Sequence, residues 1–131
     1  MDPFTLVGKK GLVVGIANDR SIDYGCARSF VEQGAELAIT YLNEKAEPYV
    51  RPLAEKLYAP FILPCDVTKS GELEAGFDEI RETWGKLDFL VHAIAYADKD
   101  DLHGRVVDCS EEGFAKAMSV SCHSFLRMTH L

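Results

Sequence analysis

The segment Gly15-Ile16-Ala17-Asn18-Asp19-Arg20-Ser21-Ile22-Asp23-Tyr24-Gly25 has residue types that can hold a phosphate. Gly15 permits a tight turn and lets a ligand come close to the backbone. Ser21 can cap a following helix and can also donate its hydroxyl to a phosphate oxygen. The first amides of that helix, near Ile22, make an anion site, because they lack intrahelical acceptors and lie at the positive end of the helix dipole. Gly25 has no Cβ, so the helix can lie close to a pyrophosphate or to a strand. The spacing is not Gly-x-Gly-x-x-Gly, and no Gly-Lys-Ser/Thr follows. On glycine count alone, a plain strand-loop-helix connection with a capping serine explains the segment as well as a phosphate site does.

Other segments add to this reading. In Cys65-Asp66-Val67 the aspartate can accept a hydrogen bond from an adenine amino group, or it can bond its own loop backbone. In His92-Ala93-Ile94-Ala95-Tyr96-Ala97 the small residues let a flat ring and a ribose lie against the backbone, although tight packing beside a core would also select them. His92 reads as a structural strand-end histidine rather than an acid or base. Thr40-Tyr41-Leu42 offers neither a carboxylate for a ribose 2′-hydroxyl nor an arginine for a 2′-phosphate. Lys45, slightly beyond, reads as a solvated helix residue.

These segments need a scaffold that brings them to one edge. Gly11–Gly15 is a short apolar run suited to a strand buried on both faces. A helix follows, with Ile22, Cys26 and Phe30 on its apolar stripe, Ala27 and Val31 widening it, Asp23 off it, and Gly34 ending it. Leu37–Tyr41 is a second strand. Glu44–Leu57 is a second helix, with an irregular start expected from Pro48 and Pro52. Phe61–Leu63 is a third strand, Ser70–Trp84 a third helix closed by Gly85, and Leu87–Val91 a fourth strand. Asp98–Asp108 reads as a polar loop and Glu111–Leu131 as a long fourth helix. Alternating strands and helices predict an α/β fold, a doubly wound parallel sheet of Rossmann type with helices on both faces and strand order 3-2-1-4.

The 131 residues, 47% apolar and 27% charged, suit one soluble globular domain. A net charge of −7 and a pI near 5.0 exclude a basic nucleic-acid footprint. No apolar stretch reaches the roughly 20 residues of a membrane span, and no signal peptide is visible, so a cytoplasmic location is expected. Cys26, Cys65, Cys109 and Cys122 lack zinc-ligand spacing, and no metal site is expected. Residues 1–7 are expected to be a vector-derived or flexible leader.

Taken together, Gly15–Gly25 with its Arg20-Ser21-Ile22 core, Gly34-Ala35-Glu36-Leu37-Ala38, Cys65-Asp66-Val67, Trp84-Gly85-Lys86-Leu87-Asp88 and Leu90-Val91-His92-Ala93-Ile94-Ala95 are specific. With them the chain resembles the bacterial enoyl-acyl carrier protein reductases, an atypical branch of the short-chain dehydrogenase/reductases, from about Gly8 to its end. The resemblance implies NADH-dependent reduction of a trans-2-enoyl thioester carried on acyl carrier protein, in fatty acid synthesis. It implies that Gly15, Ser21 and Ile22 hold the pyrophosphate and adjacent ribose, that Asp66 and Val67 frame the adenine, that Ile94 lies by the nicotinamide ribose, and that Ala97 touches the acyl substrate. Leu42 stands where many NADH-using relatives carry Gln. With no arginine at the end of the second strand, NADH is favoured over NADPH.

In the family a tyrosine stabilises the enolate oxygen and a lysine holds the ribose. None of Tyr24, Tyr41, Tyr49, Tyr58 and Tyr96 matches that tyrosine. Residues 1–131 are therefore expected to be the N-terminal portion of a single dinucleotide-binding domain, without catalytic residues of its own and inactive alone. The fourth strand would be a sheet edge, and the fourth helix would face a partner in a homotetramer of the full-length enzyme. The alternatives are a non-catalytic nucleotide-binding module or another short-chain dehydrogenase/reductase.

Overall fold

The structure, a computed structural model, describes residues 3–131. Leu12, Val13 and Val14 follow one another without a polar residue, so a strand made of them must be covered on both faces. They form β1 (Lys10–Val14). With β2 (Glu36–Tyr41), β3 (Phe61–Pro64) and β4 (Phe89–His92) it makes one parallel sheet in the order β3-β2-β1-β4. The register sets Val13 between Ile39 and Val91.

The strand order reverses direction after β3. Right-handed crossovers then place α1 (Ile22–Glu32) and α2 (Glu47–Lys56) on one face and α3 (Glu72–Trp84) on the other. The packing agrees. Val13, Leu37 and Ile39 share a core with Ala27, Val50, Leu53 and Ala54. Leu12, Val14 and Leu63, pointing the opposite way, meet Leu73, Phe77 and Ile80. This is the doubly wound, Rossmann-type arrangement that the sequence pattern predicts.

Several local features explain the element ends. Gly34 leaves α1 with φ 96. α2 begins at Glu47 rather than Glu44, because Pro48 suits the first helical turn, where an amide has no intrahelical acceptor. Asn43 Oδ1 accepts the Ala46 amide just before it, at 3.0 Å. Asp88 joins the start of β4 to β1: its Oδ2 accepts the Lys10 amide at 2.8 Å, and its own amide donates to the Lys10 carbonyl at 2.7 Å. Of the expected leader, Met1 and Asp2 lie outside the described residues. The Leu6 amide donates to the Gln33 carbonyl at 2.8 Å, and the Leu6 side chain packs on the core.

The buried line of α1 is turned by one residue from the stripe expected. Asp23 and Ala27 are buried, whereas Ile22 is 87% exposed. Ile22 opens the helix ahead of the turn that packs on the sheet. Tyr24, Phe30 and Val31 are half-buried against the core.

The chain divides into two compact units, one ending at Ala93 and one spanning Ile94–Leu131. In the second, the expected polar loop contains two short 3-10 turns, Lys99–Leu102 and Val106–Asp108. The expected single long helix is α4 (Glu111–Met118), a π-helical turn (Ser119–His123) and α5 (Ser124–His130). Ser110 Oγ caps α4 by accepting the Gly113 amide at 3.0 Å. Within the helical run, the Ser124 hydroxyl donates back to the Val120 carbonyl at 2.7 Å.

Candidate functional site

β1 delivers Gly15 to the carboxyl end of the sheet, where Val14 stands opposite His92 of β4. The Ala93 amide donates to the Val14 carbonyl at 2.9 Å, which holds the two strand ends together. Gly15 has φ 126, a conformation side-chain-bearing residues avoid. A Cβ at this position would drive into the Ala93 carbonyl. Glycine is required here by both backbone and space.

The loop after Gly15 is braced from within. The Arg20 amide donates to Asn18 Oδ1 at 2.8 Å, and the Ser21 amide to the Asn18 carbonyl at 3.2 Å. Ser21 Oγ accepts the amides of Ala17 and Asn18 at 3.0 and 3.2 Å. Ser21 thus stands at the N-cap position of α1 without capping it, because its oxygen is used by the loop. A hydroxyl has two acceptor sites and one donor, so this arrangement leaves the O–H free to donate outward. The first helical bonds run from the Tyr24 and Gly25 amides to the Ser21 carbonyl. The Ile22 amide precedes them as an open donor of a helix N-terminus, whereas the Asp23 amide faces its own carboxyl. Gly25 has nothing within 4 Å of where its Cβ would be, so its lack of a side chain serves no close contact with a strand.

Asp23 lies beneath this turn, 2% exposed. Its Oδ2 meets no protein donor, and it sits 3.0 Å from the point that a Cβ on Gly15 would occupy. Burial pushes the carboxyl above the usual carboxylate range, opposed by the amides of Asp23 and Tyr24. The sequence pattern places Asp23 on the polar side of α1. The available signal was its position four residues before Ala27, on the same helical line.

The ends of β2 and β3 also meet: the Cys65 amide donates to the Tyr41 carbonyl at 2.8 Å. Leu42, one residue past β2, is 54% exposed. Asp66 plays the local turn role: its Oδ1 accepts the Thr68 amide at 2.9 Å and the Thr68 hydroxyl at 2.6 Å. Its amide donates to Glu72 Oε1 at 2.9 Å, which ties Asp66 and Val67 to the start of α3. Gly15, Ser21, Ile22, Leu42, Asp66 and Val67 therefore all stand at or just beyond the carboxyl ends of the strands, where doubly wound sheets bind ligands.

In the second unit, Ile94 and Ala97 are half-buried and flank Tyr96. Ser121, in the π-helical turn, accepts the Tyr96 amide and donates to the Tyr96 carbonyl. The Tyr96 hydroxyl donates to Asp98 Oδ1 at 3.0 Å, and the Lys116 ammonium lies 3.4 Å from that oxygen and 4.7 Å from the Tyr96 ring centre. The bond to Asp98 holds the Lys116 ammonium above its ordinary pKa. Sequence periodicity gives no sign of this network, which joins residues 18 to 25 positions apart.

Among the described residues no group of His, Cys, Asp and Glu could hold a metal ion, and no helix is long and apolar enough to cross a membrane. Among the described residues no disulfide joins the four cysteines.

Comparison with known proteins gives a consistent picture. Residues 15–131 match the family described as enoyl-(acyl carrier protein) reductase. The chain is 48% identical over 118 residues to enoyl-[acyl-carrier-protein] reductase [NADH] 2 of Rhizobium meliloti (strain 1021), covering 90% of this chain and 44% of that protein. It is similar to the Anaplasma phagocytophilum enoyl-(acyl-carrier-protein) reductase solved in complex with NAD, with a TM-score of 0.88 and 45% identity over 93% of this chain and 47% of that one. It is also similar to the Bacillus cereus enoyl-acyl carrier protein reductase solved with NADP+ and indole naphthyridinone, with a TM-score of 0.91 and 42% identity over 95% of this chain and 49% of that one. The chain spans about half the length of the curated relatives it matches.

Proposed function

The chain belongs to the enoyl-(acyl carrier protein) reductase family, and on that premise we propose that residues 1–131 are the dinucleotide-binding portion of a single-domain, NADH-dependent reductase of trans-2-enoyl thioesters. One observation carries the reading most directly: the turn from Gly15 to Ile22. It combines a glycine with no room for a Cβ, a serine whose O–H is left as a donor, and the open Ile22 amide at a helix N-terminus. These are the features a pyrophosphate needs.

In this proposal Gly15, Ser21 and Ile22 hold the pyrophosphate and its adjacent ribose. Asp66, through the oxygen not bound to Thr68, and Val67 frame the adenine, with Leu42 beside the adenine ribose. Ile94 lies by the nicotinamide ribose and Ala97 touches the acyl group. When bound, the nicotinamide supplies the hydride that is delivered to the β-carbon of the enoyl thioester on acyl carrier protein. The residues of this chain bind and orient. Its tyrosines match none of the family's catalytic positions, so alone it binds NADH without reducing an enoyl thioester. The full enzyme would be a cytoplasmic homotetramer that takes part in fatty acid biosynthesis. Leu42 offers no charge to a 2′-phosphate, which favours NADH, as the relative's NADH designation also does.

Titration of this chain with NADH and NADPH, followed by nicotinamide fluorescence, tests the proposal. Saturable NADH binding is expected, stronger than that of NADPH, and weakened on the order of tenfold by Ser21→Ala. Absence of saturable NADH binding, or measurable turnover of crotonyl thioester by this chain alone, would overturn it.

A further inference from the structure

We propose that Asp23 is an affinity-setting residue of the first turn: its buried carboxyl group is an internal anion at the N-terminus of α1 that weakens the hold on a pyrophosphate. The proposal rests on reading that turn as the dinucleotide site. Asp23 is the second residue of an 11-residue helix, so its charge lies within the first helical turn. It is 2% exposed, and its Oδ2 meets no protein donor. That oxygen and the Ala93 carbonyl oxygen both lie within 3.0 Å of the point where a Cβ on Gly15 would stand. Two acceptors therefore converge beneath the glycine that the pyrophosphate must approach.

The competition is for the same groups. A phosphate at a helix N-terminus draws on the first open amides and on the positive end of the dipole. The Asp23 carboxyl already draws on the amides of Asp23 and Tyr24. Burial does not remove this opposition, because a charge shielded from water acts more strongly on its neighbours than an exposed one. A neutral side chain of similar size would leave the amides and the dipole to the ligand.

The experiment titrates the wild-type chain, Asp23→Asn, Asp23→Ala and Ser21→Ala with NADH and with inorganic pyrophosphate at pH 8. Thermal melts establish that each variant is folded. Both Asp23 variants are expected to bind NADH and pyrophosphate more tightly than wild type, on the order of tenfold. Equal or weaker binding by both variants overturns the proposal. Tightening by Asp23→Ala alone also overturns it, since that would assign the effect to volume rather than charge. If NADH binds and Ser21→Ala weakens it while the Asp23 variants change nothing, this inference fails and the turn remains the cofactor site. If no form of the chain binds NADH, both readings fail.

Discussion

The Ser121 hydroxyl grips the backbone of Tyr96 from both sides, accepting its amide at 2.9 Å and donating to its carbonyl at 3.2 Å. A single side chain in the π-helical turn thus fixes the segment that carries Ile94 and Ala97. π-helical turns of this kind interrupt an α-helix where a side chain must be placed out of regular phase. Ser121→Ala removes both bonds, at a cost of about 1 kcal/mol. Amide exchange at Tyr96 is expected to speed up several-fold, on the order of fivefold, as that segment opens locally. Ser121→Thr should restore slow exchange. Unchanged exchange in the alanine variant would show that Tyr96 is held by other means.

Gly15→Ala tests the turn itself. The substitution asks a side-chain-bearing residue to adopt φ 126 and to place its Cβ against the Ala93 carbonyl. A loss of more than about 1 kcal/mol of stability is expected, seen as a lower denaturation midpoint. NADH binding should fall below detection, because the strand ends must separate to admit the methyl group. Retained affinity with wild-type stability would mean that the backbone here relaxes freely.

The pH dependence of stability should carry the signature of Asp23. Burial raises its native pKa above the ordinary value of an unfolded aspartate. Between that value and the native pKa, the folded state holds a proton that the unfolded chain has released, so stability falls as pH rises through the window. Asp23→Asn is therefore expected to be more stable than wild type at pH 8, by about 1 kcal/mol. Its advantage should shrink as the pH is lowered toward the unfolded value. Asp88 runs the other way: accepting the Lys10 amide holds its carboxyl below the ordinary range. Its stabilisation is present at neutral pH and is lost as pH falls through its native pKa. Denaturant titrations of Asp23→Asn at pH 8 and pH 4, and of Asp88→Asn at pH 8 and at about pH 2, distinguish the two signs.

Leu42 should govern the choice between dinucleotides. It stands exposed just past β2, where an arginine would suit a 2′-phosphate. Leu42→Arg is expected to shift the NADPH-to-NADH affinity ratio toward NADPH, on the order of tenfold. Fluorescence titration of the variant with both cofactors measures this directly. An unchanged ratio would place the adenine ribose away from Leu42.

What the sequence by itself determined was the order and kind of the elements. Continuous apolar runs such as Leu12-Val13-Val14 can only be strands covered on both faces, and alternation with amphipathic helices leaves a doubly wound sheet as the arrangement that buries them. The positions of Gly15, Leu42 and Asp66 at strand ends follow from that topology, and residue patterning places them without reference to long-range contacts. Tertiary structure decided the rest. Ser21 looked like a helix cap, but the amides of Ala17 and Asn18 claim its oxygen, an outcome of how the loop folds back. Asp23 looked like a surface residue, because its polar type argues for exposure, whereas the packing of α1 buries it beneath Gly15. The break in the last helical run, and the bond from Ser121 to Tyr96, join residues 25 positions apart. Periodicity records only neighbours along the chain, whereas these features are set by which distant groups the fold brings within hydrogen-bonding reach.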